Sequence, residues 1–230
     1  MSNGKITPKS VLNFNKSPVD EKDETVPEVT LENILEKVSS DNVSDALKNL
    51  YSYSGLLKGV KPINSKHKIA GFVRTAETSS KDWGTGIKAI YTCENDEILL
   101  IKCSDNDYAI WGGIATCAAK EFGLQATVII GSSRDTEDIL DLDFPIFSQS
   151  IQSRAGLPLN NGTLEGTLLV GDLVIKTGDF LIGDIDGVVV VPQDKLDEVL
   201  EELNRIKKFE STVVKRLVDD HQRMDDIIGF

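Results

Sequence analysis

Histidine is nearly missing from this 230-residue chain: His67 and His221 are the only two. That leaves little room for a histidine-rich zinc site or a Ser-His-Asp hydrolase. Cysteine is scarce as well. Cys93, Cys103 and Cys117 are an odd number at wide spacing, which fits neither a zinc pattern nor a disulfide framework and predicts a reducing, cytoplasmic setting. No apolar run approaches the ~18 residues of a membrane span, and residues 1–18 are polar, without the apolar segment of a secretory leader. A basic surplus is lacking too. The chain has 25 Lys and Arg against 37 Asp and Glu, a formal charge of −12. Its densest basic stretches, 58–68 and 205–208, are short and interrupted, so no nucleic-acid partner is expected.

What is present is an apolar fraction of 40%, enough for a sizeable core. Residues 1–27, polar and with three prolines, read as a loosely ordered arm. Thr30 is placed to cap a short helix carrying Leu31, Ile34, Leu35 and Val38, and a second helix is expected from Ser44 and Asp45. Strands are expected at 69–73, 75–78, 98–101 and 126–130, with helices at 85–91 and 109–122, the latter stopped by Gly123. Such alternation is the sign of a layered α/β domain. Between Thr163 and Pro192 the Gly-Asp dipeptide recurs at 171–172, 178–179 and 183–184, with Asp186-Gly187 close behind. These are turn formers, so a tightly turned β unit is expected there; the spacing does not suit a calcium loop. From Asp194 the apolar stripe Leu196, Val199, Leu200, Leu203 and Ile206 predicts a C-terminal helix, extended by Val213, Val214, Leu217 and Val218. The expected organisation is an arm (1–27), one α/β domain (28–210) and a helical tail (211–230).

Two segments can carry chemistry. Trp111-Gly-Gly113 opens a predicted helix, and Gly112, Gly113, Ile114 and Ala115 would leave backbone N–H groups at its positive end, where an anion is favoured. On the residues alone, a tight turn is the plainer reading of the glycine pair. Arg134 and Asp135 follow the strand at 126–130, at the carboxyl edge where ligands of open α/β sheets gather. Arginine offers a planar fork for a carboxylate. Asp135 could hold Mg²⁺ or Mn²⁺, which keep several waters and need only one or two protein carboxylates. A local ion pair or helix cap is the plain alternative. If Asp135 opens a helical turn, Asp138 shares its face.

Five segments stand in order at 43–47 (Val-Ser-Asp-Ala-Leu), 71–75 (Gly-Phe-Val-Arg-Thr), 111–113 with Arg134-Asp135, 144–147 (Phe-Pro-Ile-Phe) and 183–192 (Gly-Asp-Ile-Asp-Gly-Val-Val-Val-Val-Pro). Together they resemble the RraA-like proteins, which include the 4-hydroxy-4-methyl-2-oxoglutarate (HMG) aldolases, over roughly residues 30–205. The resemblance implies a three-layer α/β/α fold of the swivelling phosphohistidine-domain type, assembled as a homotrimer or homohexamer with sites between subunits. It implies that residues 112–115 and Arg134 hold a small 2-oxo acid, that Asp135 binds Mg²⁺ or another divalent cation largely through waters, and that the cation polarises the 2-oxo group while a carbon–carbon bond breaks. Many aldolases of the family carry an acid twenty-one residues before the arginine, where this chain has Gly113. A family variant with glycine there has an acid three residues after the aspartate, which Asp138 supplies as a replacement base.

Retro-aldol cleavage must deprotonate a hydroxyl, whereas decarboxylation of oxaloacetate has none to deprotonate. The expected activity is therefore a metal-dependent lyase releasing pyruvate, with decarboxylation the more robust reaction. The alternative is a regulatory protein without chemistry, like the family members that bind and inhibit a ribonuclease; the acidic surface permits docking on a basic partner. A methyltransferase is not supported, because no strand leads into a Gly-rich loop and acidic residue that would seat an adenosyl cofactor.

Overall fold

The computed structural model describes residues 27–229; the arm expected over 1–27 lies, apart from Pro27, outside them. A mixed nine-stranded sheet organises the chain, in the order β1 (Lys61–Pro62), β6 (Ile146–Ile151), β5 (Ala126–Ser133), β3 (Ile98–Cys103), β2 (Ile69–Thr78), β10 (Phe180–Asp184) and β11 (Gly187–Val191). β4 (Ala109–Trp111) pairs with β5, and β7 (Thr163–Leu164) with β2. β2, β3, β5 and β6 are parallel neighbours, while β10 and β11 join antiparallel. A separate hairpin, β8 (Leu168–Val170) and β9 (Leu173–Ile175), turns at Gly171, whose φ of 61° is where glycine costs least.

The layers are bent. Leu57 N–H donates to Val188 O (2.8 Å) and Val190 N–H to Gly55 O (2.9 Å), and the same segment then enters β1, which pairs with β6. Residues 55–62 thus bridge the two edges and nearly close the sheet into a barrel. Period-two alternation explains how. Leu100, Val128, Leu181, Val188 and Val190 turn inward onto Leu57, Val60 and Phe147. Leu99, Ile101 and Ile129 turn outward under α3 (Gly84–Ile90), α4 (Gly113–Phe122) and α5 (Thr136–Leu142). On the far edge, Phe180, Ile182, Val189 and Val191 carry α2 (Ser40–Tyr51) and α6 (Leu196–Val218). Strands covered on both faces read as continuous apolar runs, which is why 98–101 and 188–191 do not alternate with polar residues. α1 (Ile34–Lys37) and α7 (Met224–Ile228) complete the chain. α6 crosses residues 210 and 211 as one helix.

Three boundaries differ from expectation, each for a nameable reason. α2 starts at Ser40, not Ser44, because Ser39 and Asn42 form a reciprocal capping box. Asn33, not Thr30, precedes α1, and its side chain accepts from Thr30 N–H instead. Residues 109–111 are strand rather than helix, because β5 offers β4 a ladder; the helix begins only at Gly113.

The turn unit is held by its aspartates. Asp184 closes the β10–β11 hairpin, accepting from the Asp186 N–H (3.0 Å) and from Ser40 through N–H (2.8 Å) and Oγ (2.7 Å). Burial alone would raise its pKa, but the Ser40, Asp186 and Gly187 hydrogen bonds outweigh it and hold the carboxyl below its usual range. Asp82, with no exposed surface, is depressed further by the same balance, through Thr85, Asn160, Asn161 and Thr78. Asp41, raised by burial and by the charges of Asp186 and Asp184, acts in the opposite sense. Because Asp82 and Asp184 stay ionised to lower pH folded than unfolded, their stabilisation is complete above the unfolded carboxyl pKa of about 3.9 and is lost as pH falls below it. The melting temperature is expected to stay level from neutral pH to about pH 5 and to drop steeply below about pH 4. A calorimetric series that declined evenly across this range would contradict it.

Candidate functional site

β4 and β5 end side by side, with Trp111 in register with Ser133. The next residues on each strand, Gly112 and Arg134, are therefore neighbours although twenty-two positions apart. Arg134 N–H donates to Trp111 O (2.9 Å), locking the two strand ends together. Beyond them the chain turns into α4 and α5. Asp135 makes its turn in the left-handed region, at φ 57° and ψ 47°, a conformation that aspartate tolerates better than most side chains.

This turn aims two carboxylates at one glycine pair. Gly113 N–H donates to Asp135 Oδ2 at 3.2 Å, so the N-terminus of α4 is partly capped by the protein's own anion. A Cβ on Gly112 would collide with Asp135 Oδ2, and one on Gly113 would lie 2.8 Å from Asp138 Cβ and 2.9 Å from its Oδ2. The glycines are required by this close approach, not by backbone angle: Gly112 is extended, at φ −162°. Asp138 thus fills the space that a side chain at position 113 would enter. Gly112 also anchors the helix start, its carbonyl accepting from Thr116 N–H and Oγ1, and Trp111 Nε1–H donates to the same Thr116 Oγ1 at 3.0 Å.

Arg134 and Asp135 are partly exposed, with side chains 44% and 36% accessible, and Arg134 Nε stands 3.5 Å from Asp135 Oδ2. Among the described residues the rest of the guanidinium meets no acceptor, and Asp135 Oδ1 accepts no hydrogen bond. Both open into a cleft of about 180 Å³ whose walls are mostly apolar: Trp83 and Ile87 from α3 and its approach, Ile110 and Trp111 from β4, and Ile114 and Ala115 from α4. Ile114 is 88% exposed. Of the residues singled out in the sequence, Gly112, Ile114, Ala115, Arg134 and Asp135 line this cleft, and Gly113 and Asp138 adjoin it. No group of three or more His, Cys, Asp or Glu forms a metal cage among the described residues. The donor set at the cleft, one free carboxylate oxygen on Asp135 with Asp138 beside it, suits a hydrated hard cation held by one or two carboxylates. The two buried cysteines offer no thiolate: burial pushes the Cys93 and Cys103 thiols up to about 12, while Cys117 is exposed and lines no part of the cleft.

Sequence reasoning missed Asp82. Its Oδ1 accepts from the N–H groups of Gly84 (2.9 Å) and Asn160 (2.9 Å), and its Oδ2 from Asn161 N–H (3.0 Å), Thr85 Oγ1 (2.7 Å) and Thr78 Oγ1 (3.0 Å). It ties residues 160–161 to the start of α3, and Trp83 Nε1–H reaches Gly156 O (3.2 Å), so one wall of the cleft hangs on this buried carboxylate. The only local signal was an aspartate before a helix, which reads as an ordinary cap.

The chain matches the family model described as RraA-like, Aldolase/RraA, over residues 40–190. It is 35% identical over 201 residues to an uncharacterized protein of Methanocaldococcus jannaschii, covering 86% of this chain and 93% of that one. It is 29% identical over 180 residues to a Halalkalibacterium halodurans protein named "Putative 4-hydroxy-4-methyl-2-oxoglutarate aldolase", covering 78% and 84%. Among solved structures, the RNA-processing inhibitor RraA of Thermus thermophilus superposes with a TM-score of 0.58 at 23% identity, covering 65% of this chain and 92% of that one, which is a likeness of fold.

Proposed function

Since this chain belongs to the RraA-like family, whose members include both a named aldolase and an RNA-processing inhibitor, we propose that it is a divalent-metal-dependent lyase that cleaves a carbon–carbon bond of small 2-oxo acids and releases pyruvate. The observation that carries this reading is the convergence of Arg134, Asp135 and Asp138 on the Gly112–Gly113 pair at the mouth of an apolar cleft. Asp135 would hold Mg²⁺, Mn²⁺ or a similar cation, largely through waters. When bound, such a cation polarises a 2-oxo group and spreads the charge that develops on it. Arg134 offers its unpartnered guanidinium edge to the substrate carboxylate, fixing the scissile bond relative to the carbonyl plane. Asp138 accepts the proton of a 4-hydroxyl in the aldol reaction. The fragment left by either cleavage must gain a proton to become pyruvate, and the open cleft, with Ile114 88% exposed on its rim, leaves water free to supply it.

Oxaloacetate has no hydroxyl to deprotonate, so the two reactions separate on Asp138. Asp138→Asn keeps the shape and removes the base. It is expected to lower HMG cleavage by about 10²-fold or more while changing oxaloacetate decarboxylation by less than about tenfold. Pyruvate release from both substrates, with Mg²⁺ and with EDTA, measures this. Equal losses on the two substrates, or full activity in EDTA, would refute the roles given to Asp138 and the cation.

The same reading includes a homotrimer or homohexamer with the cleft between subunits, supported by the exposure of Ile114 on its rim. It also includes the swivelling phosphohistidine-type fold, supported by helices outside both edges of the curled sheet, and a cytoplasmic setting, supported by three free cysteines. No described helix is long and apolar enough to cross a membrane. A regulatory binder is the second reading, favoured by the charge of −12 and by the RNA-processing inhibitor among the fold's relatives. An Asp135→Ala protein that retained its full cellular role would favour it.

A further inference from the structure

A second cavity, of about 350 Å³, lies between the β8–β9 hairpin and the start of α6, and it shares no lining residue with the cleft. That volume falls in the range of small-molecule sites. Leu173, Ile175, Val190 and Pro192 give it apolar walls. At one side stands a single cation. Lys195 Nζ lies 4.1 Å from the ring centroid of Tyr51 and 4.9 Å from that of Tyr53, so its ammonium is held in place by two aromatic faces. Among the described residues no carboxylate lies within ion-pair distance of it. Glu198, one turn further along α6, accepts from the Tyr51 hydroxyl at 2.7 Å. The Tyr53 hydroxyl is occluded and, among the described residues, has no hydrogen-bond partner. Asp172, at the turn of the hairpin, is the one acid lining the cavity.

An oriented ammonium without a counter-ion, at the side of an apolar cavity, favours one negative charge on an apolar body. Asp172 opposes a second negative charge. We propose that this cavity is a binding site for an organic monocarboxylate with a compact aryl or branched-alkyl body, its carboxylate on Lys195 and its body against Leu173, Ile175 and the Tyr53 ring. An occupant would tie the β8–β9 hairpin to the start of α6, two parts of the fold that are otherwise separate elements. The plain alternative is that Lys195 only clamps the two tyrosines.

Titration of the full, isotope-labelled chain with phenylacetate, followed by amide NMR shifts, tests this. Saturable shifts centred on residues 172–175 and 190–195 are expected. The neutral isostere phenylacetamide should bind at least about tenfold more weakly, and Lys195→Gln should weaken phenylacetate by a similar factor, the loss of one charge-assisted hydrogen bond. Lys195→Arg should retain binding, so the test survives even if the glutamine variant folds poorly. Equal binding of acid and amide, shifts centred on Gly112 and Arg134, or no saturation at millimolar phenylacetate would each overturn the proposal. None of these outcomes depends on lyase activity.

Discussion

Replacing Asp135 with alanine is expected to cut metal-dependent pyruvate release by about 10³-fold, a barrier increase of about 4 kcal/mol. The size follows from position. Asp135 is the one carboxylate that both lines the cleft and keeps an oxygen free of protein donors. Asp138 alone, a turn further along α5, would leave a bound cation short of its main anchor. The fold should lose only modestly: the side chain is over a third exposed and its contact with Arg134 is long, while alanine at φ 57° and the lost acceptor for Gly113 N–H together cost about 1–2 kcal/mol. A loss of rate far larger than the accompanying drop in melting temperature, about 5 °C, is therefore the expected signature. Mn²⁺ titration followed by water-proton relaxation gives a second readout, in which the wild-type enhancement should largely vanish in the variant. Unaltered Mn²⁺ enhancement together with an unaltered rate would remove Asp135 from the site.

Asp82→Ala is expected to do the reverse, lowering stability first and activity through it. The native carboxylate is fully buried and balanced by hydrogen bonds alone, with no cation beside it. Its removal leaves the buried Thr78 and Thr85 hydroxyls without their acceptor and unties the exposed segment at Asn160 and Asn161, a loss of about 3 kcal/mol, or roughly 10 °C in melting temperature for a domain of this size. Asp82→Asn keeps the volume but turns an amide toward donors, so it should fall between wild type and alanine. Urea unfolding of the three proteins measures the series. A loss below about 1 kcal/mol for the alanine variant would mean that residues 160–161 find other partners.

How far the sequence reached depends on how local each feature is. β5, β10, β11 and α6 were legible because their apolar runs or stripes are read within one segment. The glycine pair and the Arg-Asp dipeptide stood out for the same reason, each being a few adjacent residues. The start of α2 is not legible in the sequence because a capping box depends on which of several serines turns inward. β4 reads as helix in the sequence because three apolar residues before a helix carry no mark of the strand that will pair with them. Asp82 could not be recognised at all, since its donors at 160–161 lie nearly eighty positions away.

Composition, periodicity and turn chemistry, all properties of neighbouring residues, determined from the sequence alone that this protein is a mixed α/β domain with a turn-rich β unit, and marked Gly112-Gly113 and Arg134-Asp135 as candidates that the family resemblance then singled out. Only the tertiary structure decided that the sheet curls until residues 55–62 nearly close it, that Asp138 occupies the space next to Gly113, and that a buried aspartate supports the cleft wall. Those arrangements arise where strand ends from distant parts of the chain are brought into register, because strand pairing and close packing act through space and leave no pattern in the order of residues.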